Sequence, residues 1–457
     1  MCKILIKKYI EKIILYDIYI NNKNKNKKNN NNKNKTDIKI IKKYFNGGFY
    51  GKLPIKLILM LFTLIIICLY IFGCTLNIEK VAKPIFTPSE GIFYNYVEVQ
   101  ISSATKDAII KYTIDGSNPS NSNGIIYSNP ILVTGTLTIK AIAIKEGFEN
   151  SDISSSTFTI KMSYAFVGDG SEGLQIIDIS DFDNLKIIKT LDTSGSANGI
   201  YVKNNYVFIA DYTGGLHIVD ITNPFNPQII KTLDTSGYAL DVLIIGNYAY
   251  LADYEAGLRI IDISDIKNPV IIKTVDTNGY ALSVFVDGNY AYVAASTEGM
   301  NIIDISDIHL AHIIKTIDYG SYARDVFIKN GYDYVASDIS GLLIINISDP
   351  LNPVLVKTVN TPGHATGVFV DSNYAYVADS DGGFHIIDIT DVSQAEIIKT
   401  IDIGDKVKNV YIKDNYAYLA AYSAGLIIVD ISDPQNAYIR AYIDTSGYSI
   451  SIYVIKE

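Results

Sequence analysis

The sequence predicts an all-β chain whose larger part closes into a ring. Three observations carry this expectation. Glycines recur every 42 residues, at Gly173, Gly215, Gly257, Gly299, Gly341, Gly383 and Gly425, marking seven copies of one unit. Each unit holds four short runs of β-branched and aromatic residues, as in "ALSVFVDG" (281–288), "NYAYVA" (289–294), "GMNIIDISD" (299–307) and "AHIIKTID" (311–318). Four strands per 42 residues is the spacing of a propeller blade. The ends also interlock. The first copy opens at its second strand (Tyr164), and the closing "SISIYVIK" (449–456) is a first strand with nothing after it. The C-terminus therefore supplies the strand that the opening blade lacks and leaves no edge exposed. An open stack would carry atypical capping repeats instead. The expected fold is a seven-bladed β-propeller over 163–457, closed by its C-terminal strand.

In chain order, residues 1–52 come first. Fourteen Lys stand there against Glu11, Asp17 and Asp37, so the net charge of −9 conceals an acidic body. Such a body argues against nucleic acid, whose phosphates need a basic face. "NNKNKNKKNNNNKNK" (21–35) offers nothing apolar to bury and is expected to be disordered. The head reads as an untranslated, over-extended reading frame with the true start near Leu53, or else as a basic cytoplasmic tail. Over 53–74, Lys52 and Lys56 flank the start of the apolar run "LILMLFTLIIICLYIF" (57–72), which Gly73-Cys74 follows. This segment resembles a bacterial lipoprotein signal, with Ile71 at −3, Gly73 at −1 and Cys74 as the residue to be lipidated. The resemblance implies a lipid-anchored protein of the bacterial cell envelope, facing outward; an uncleaved single-pass membrane anchor is the alternative. Nothing after Cys74 is Cys, which excludes a disulfide framework or a Cys-based zinc site in the folded part.

Residues 84–160 lack the 42-residue period. Alternating runs at 96–102, 108–115, 137–145 and 156–160 read as strands, with turn chemistry at Asp115-Gly116 and Asn118-Pro119, so a small β-sandwich is expected. "PIFTPSEGIFYNYVEVQIS", "IKYTIDGSNPSNSNGIIYSNPI" and "LTIKAIAIKEGFENSDISS" are similar to the chitobiase/β-hexosaminidase C-terminal domain. That resemblance implies an immunoglobulin-like accessory module rather than a catalytic unit; it reads here as a stalk or spacer, with glycan binding as the alternative.

Within the repeats each position has a physical reason. Asp287-Gly288 supports a two-residue hairpin, which needs residues that accept positive φ. Tyr opens the second strand of every copy, and an aromatic two places on fills the gap between splayed blades. The "DISDP" pattern, as at Asp430–Pro434, stops the third strand. "LHIVD" (216–220), "LRIID" (258–262) and "LIIVD" (426–430) resemble the LVIVD repeat of bacterial and archaeal surface proteins; Asn346 replaces the usual Asp in one copy. That family implies seven-bladed propellers at cell surfaces.

Propeller ligands meet the face where the loops between fourth and first strands (d–a) and between second and third strands (b–c) gather. The candidate ligand-binding residues are Tyr238, Tyr280, Tyr322, His364, Lys406 and Tyr448 from the d–a loops. The b–c loops add Tyr212, Tyr254, Tyr422, Asp211, Asp253 and Asp379. Tyrosine offers a flat apolar surface and a hydroxyl at low entropic cost, which suits protein or sugar contact. The competing reading is that these tyrosines pack between neighbouring loops and that the acids cap turns. His364 and Lys406 break the repeat and so stand out. His217 and His385 occupy equivalent third-strand positions and are expected on a solvated face; His309 and His312 lie in one c–d loop. No catalytic residue, metal site or cofactor is expected, because no phosphate-cradling loop, nucleophile elbow or HExxH appears. The expected function is a binding or interaction scaffold for a protein partner, with glycan binding through the tyrosine-rich face next and an enzyme acting on glycans a distant third.

Overall fold

The computed structural model describes residues 78–456, together with Met60 and Thr63. The basic head, Cys74 and all of the apolar run except Met60 and Thr63 lie outside the described residues. From Glu79 onward the chain forms one compact unit. Among the described residues, no helix is long and apolar enough to cross a membrane.

The first layer pair is a small sandwich. One sheet orders its strands Ile85–Thr87, Val97–Ser102, Ile131–Val133; the other orders Gly91–Tyr94, Ser154–Lys161, Leu137–Ile144, Ile109–Thr113, Ile125–Ile126. Strict alternation along Val97–Ser102 buries Val97, Val99 and Ile101 and exposes the residues between. They meet Ile139, Ala141, Phe158 and Ile160 of the facing sheet in one core, as two inward faces of period two require.

The remainder is a closed ring of seven four-stranded antiparallel sheets. Blade 2 shows the pattern: strands a to d are Gly199–Lys203, Tyr206–Ala210, Leu216–Asp220 and Gln228–Leu233. Blades 3 to 7 repeat it from Asp241, Ser283, Asp325, Gly367 and Asn409. Blade 1 takes strands b to d from Ser163–Gly168, Leu174–Asp178 and Lys186–Leu191, and strand a from Ser451–Lys456. The C-terminal strand lies innermost and pairs with 163–168 in full register, Ile452 opposite Val167 and Val454 opposite Ala165. It touches strand a of blade 2 on one side and of blade 7 on the other, so the ring is continuous.

The repeat residues perform definable tasks. The aromatic two places into strand b is buried in every blade, from Phe166 and Phe208 to Tyr418. The residue ending strand c accepts the backbone N–H two positions on in all seven blades, Asn346 included; a side-chain turn of this kind terminates the ladder. In the a–b hairpin the positive φ falls on Gly288 rather than Asp287, and on Asn204, Gly246, Asn330, Ser372 and Asp414 in the other copies. Third residues of the inner strands form an aromatic collar around the axis. Tyr201, Tyr453, Tyr411, Phe369, Phe327 and Phe285 follow one another with ring centroids 4.8 to 5.4 Å apart.

Two inner strands open on acids. Asp241 accepts the N–H groups of Val242 and Val284, and Asp325 those of Val326 and Val368, while Ser283 Oγ donates to both carboxylates. Each carboxylate thus staples its own blade to the next by satisfying an otherwise orphan edge donor.

The sandwich attaches to one end of the ring. Only Met162 separates its last strand from blade 1. Buried Asn95, at φ 64°, receives the Ser163 N–H at 2.6 Å and donates to the Ser163 carbonyl and the Asp178 carboxylate. Tyr96 meets Phe225 edge-on at 4.8 Å. Ser163, Asp178 and Phe225 all lie toward the a–b and c–d turns, so the face formed by d–a and b–c loops points away from the sandwich.

Candidate functional site

That far face is built from two loops per blade, bridged to each other. The second b–c residue, left-handed in all seven copies (Gly170, Tyr212, Tyr254, Ser296, Asp338, Ser380, Tyr422), pairs with the d–a residue at Ala197, Ala239, Ala281, Ala323, Ala365, Val407 or Ser449. A non-glycine residue in this region costs ~1–2 kcal/mol, so the loop bridges must over-determine it.

The tyrosines come together as stacked pairs. Tyr212 and Tyr238 stack at 4.5 Å with 11° between planes, and Tyr254 and Tyr280 at 4.1 Å with 12°. Tyr238 leans on Tyr254 at 5.8 Å, so four rings make a continuous ladder across blades 2 to 4. Tyr422 and Tyr448 form a third pair, at 4.3 Å and 12°. Tyr212, Tyr238, Tyr280 and Tyr448 remain exposed. An open depression of about 350 Å³ beside the ladder is lined by Ser236, Gly237, Tyr238, Glu255 and Ala256.

The aspartates are not on this face. Asp211, Asp253 and Asp379 are fully buried beneath it. Asp211 takes Thr193 Oγ1 at 2.6 Å and the Gly195 N–H at 2.7 Å from the preceding blade's d–a loop, and Asp253 takes Thr235 Oγ1 at 2.8 Å. Asp379 accepts the Gly363 N–H at 2.8 Å. They latch blade to blade and correct the expectation that they contact ligand. Asp169 does the same at the closure, receiving Thr445 Oγ1 at 2.6 Å from the last d–a loop. Burial raises the carboxyl pKa of Asp169 and Asp253 against these hydrogen bonds.

His217 and His385 also depart from expectation. They are 2% and 0% exposed, because both neighbouring blades cover strand c. Each imidazole bridges a latch carboxylate through Nε2 (Asp211 at 2.8 Å, Asp379 at 3.0 Å) and a threonine of strand d through Nδ1. Arg259 holds the same place, reaching Asp253 and Thr274. Ser194 Oγ approaches His217 at 3.3 Å, but on Nε2, the nitrogen already engaged by Asp211. A nucleophile and its orienting acid must use opposite ring nitrogens, so this trio is not a charge-relay arrangement. Among the described residues no group of three or more His, Cys, Asp or Glu is placed to hold a metal ion.

Over blades 5 to 7 the face changes character. Arg324 places its guanidinium 4.8 Å from the Tyr322 ring and bonds Asp338 through Nε at 2.6 Å; His364 Nδ1 reaches the same carboxylate oxygen at 3.3 Å. Against the cost of desolvation, these partners hold the Asp338 carboxyl below its usual range. Lys408 Nζ lies 5.5 Å from the Tyr422 ring. Desolvation, then the charges of Lys406 and Arg324, lower its ammonium pKa despite Asp381 and Asp405. Of this group the sequence singled out His364 and Lys406 but missed Arg324 and Lys408. The signal was present in the row immediately before strand a: Asn198, Leu240, Leu282, Arg324, Thr366, Lys408, Ile450.

Seven four-stranded blades closed by the C-terminal strand define the class, a seven-bladed β-propeller carried behind an immunoglobulin-like sandwich. The LVIVD repeat model matches residues 156–193, 194–235, 236–277, 278–309, 320–361, 362–402 and 404–443, and the chain belongs to that family. Residues 88–156 match the chitobiase/beta-hexosaminidase C-terminal domain. A solved structure of a functionally unknown protein from Desulfotomaculum acetoxidans is similar at 13% identity, covering 64% of this chain and 99% of that one with a TM-score of 0.54. A quinonprotein alcohol dehydrogenase-like protein from Bacteroides thetaiotaomicron is 14% identical over 81% of this chain and 97% of its own, with a TM-score of 0.48. BamB from Moraxella catarrhalis is 12% identical over 64% and 89%, with a TM-score of 0.44. At such identities the likeness is one of fold alone, and the first of the three carries it. No curated protein matches the chain.

Proposed function

We propose that this protein is a lipid-anchored binding scaffold of the bacterial cell envelope that engages a protein partner through the loop face of its propeller. The carrying observation is the ladder Tyr212–Tyr238–Tyr254–Tyr280 on the face opposite the sandwich, with Tyr212, Tyr238 and Tyr280 exposed and Tyr254 half-buried between them. Exposed aromatic clusters of this kind are what protein interfaces use as anchors. Attachment of the sandwich through Asn95 at the other end keeps that face free. The anchor rests on the resemblance of 53–74 to a lipoprotein signal; incorporation of labelled palmitate that is lost in Cys74→Ser supports it, and a chain that takes up no label and keeps residues 53–73 removes it.

Carbohydrate binding is the second reading, favoured by the exposure of Tyr280 and Tyr212, the two end rungs of the ladder. Each stacked pair spends two of its four faces on itself, which leaves less open ring surface for a sugar and more edge and hydroxyl for a peptide. The test is cross-linked capture from envelope extract by the full-length protein. Tyr238→Ala combined with Tyr254→Ala abolishes the captured species, whereas Tyr442→Ala, exposed on the outermost strand of blade 7, leaves it. Capture indifferent to the ladder variants defeats the reading. Binding to a glycan array that is constant from low to high salt, with a change in tyrosine fluorescence, selects the carbohydrate reading instead.

A further inference from the structure

We infer that blades 5 to 7 carry an anion subsite on the loop face, in which Lys408 and Arg324 receive a carboxylate from an acidic segment of the protein partner while apolar neighbours of that carboxylate lie along the tyrosine ladder. The inference rests on the reading of this face as the partner-binding surface and names the chemistry it selects.

The ring is built by copying, so its departures from copying are informative. At the position before strand a, five blades carry uncharged residues and two carry cations, Arg324 and Lys408. Both cations lie over aromatic rings, Tyr322 and Tyr422, which hold them in place through cation–π contact. Lys408 is half-buried, yet among the described residues no carboxylate comes within ion-pair distance of it. A half-buried ammonium with no carboxylate at ion-pair distance recovers little of its desolvation cost, Asp381 and Asp405 acting only from further off; the charges of Lys406 and Arg324 add to that cost, and an incoming anion relieves both. Arg324 spends only Nε on Asp338, so its terminal nitrogens are left as a fork for a planar anion.

The surroundings narrow the anion. Asp338, Asp381 and Asp405 lie in the same sector, and the body as a whole is acidic, so a dianionic phosphate or a large acidic surface meets more repulsion than a single carboxylate on a short segment. The ladder ends at Tyr280, one d–a loop before Tyr322 and Arg324 on the same face, and favours an apolar peptide flank over a polyuronate, whose rings need open aromatic faces.

A positional-scanning nonapeptide library, with one position fixed to each amino acid in turn, reads this directly on the full-length protein in mild detergent. The expected result is selection of Glu or Asp over Gln and Asn by about tenfold at one position, with aromatic or aliphatic preference at its neighbours. Lys408→Met and Arg324→Gln each erase the acidic selection and keep the apolar one; their melting curves report that the ring is intact. Apolar selection that depends on Tyr238 and Tyr254 without any acidic preference, or acidic preference that survives Lys408→Met, overturns the subsite and leaves the partner-binding reading standing. Lys408-dependent binding of galacturonate oligomers in place of peptides overturns the peptide assignment. No selection at any position defeats the subsite and the reading together.

Discussion

Asp333 is the residue most out of place. Its counterparts in the other copies are Ala165, Val207, Ala249, Ala291, Ala375 and Ala417, packed between blades. Asp333 is fully buried and neither of its oxygens has a hydrogen-bond partner; the hydroxyl of Tyr319, which stands where five copies have Thr, is equally unpartnered. Burial, and then the charge of Asp325, push the Asp333 carboxyl well above its ordinary range. Burial pushes Asp325 itself up to about 7. An acid whose folded pKa is raised binds more protons in the native state, so its contribution to stability is highest below about pH 4, its unfolded value, and falls as pH rises toward the folded pKa. Asp333→Ala is therefore expected to stabilise the protein by ~1–3 kcal/mol, the cost of an unsatisfied buried polar group. The gain is larger at pH 8 than at pH 4.5, as denaturant melts at the two values will read. A destabilised variant, or a gain independent of pH, overturns this account.

At the scale of elements, the glycine period reports a tight turn. Each of the seven glycines has φ between 74° and 89°, and a Cβ there would overlap the carbonyl oxygen ending strand d. At Gly299 that oxygen belongs to Ile317. Gly299→Ala combines left-handed strain with a backbone clash and is expected to cost ~2 kcal/mol or more, read as a lowered melting temperature; no change would remove the steric reason for the period. The strands and hairpins of the blades were legible because period-two alternation and turn chemistry are local. The latch aspartates were not. Whether Asp211 faces water depends on the d–a loop of the preceding blade folding over it, and that contact spans sixteen to eighteen residues with no motif of its own. His217 misled for the same reason: alternation places it on one face of strand c, but in a ring both faces of strand c are covered. Arg324 and Lys408 sit at unremarkable loop positions and emerge only when the seven copies are aligned as rows.

At the scale of the whole molecule, closure by the tail was readable from the two incomplete ends, and it concentrates stability there. Deleting 451–457 removes the strand paired with Ser163–Gly168 and exposes the contacts of Ile452 and Val454, both buried. With the partly buried Tyr453 this amounts to ~5–8 kcal/mol at ~1.5–3 kcal/mol per large apolar side chain, comparable with the stability of a domain. The truncated protein is expected to lose its cooperative unfolding transition in calorimetry, and an unchanged transition would refute the role of this strand. The arrangement also fixes a timetable. The opening blade emerges from the ribosome three strands strong and waits some 260 residues for its fourth, while the sandwich clamped to it by Asn95 already has every strand it needs. Closure of the ring thus waits for Ser451–Lys456, and a chain interrupted between blade 1 and that strand carries a bare inner edge beside Ser163–Gly168.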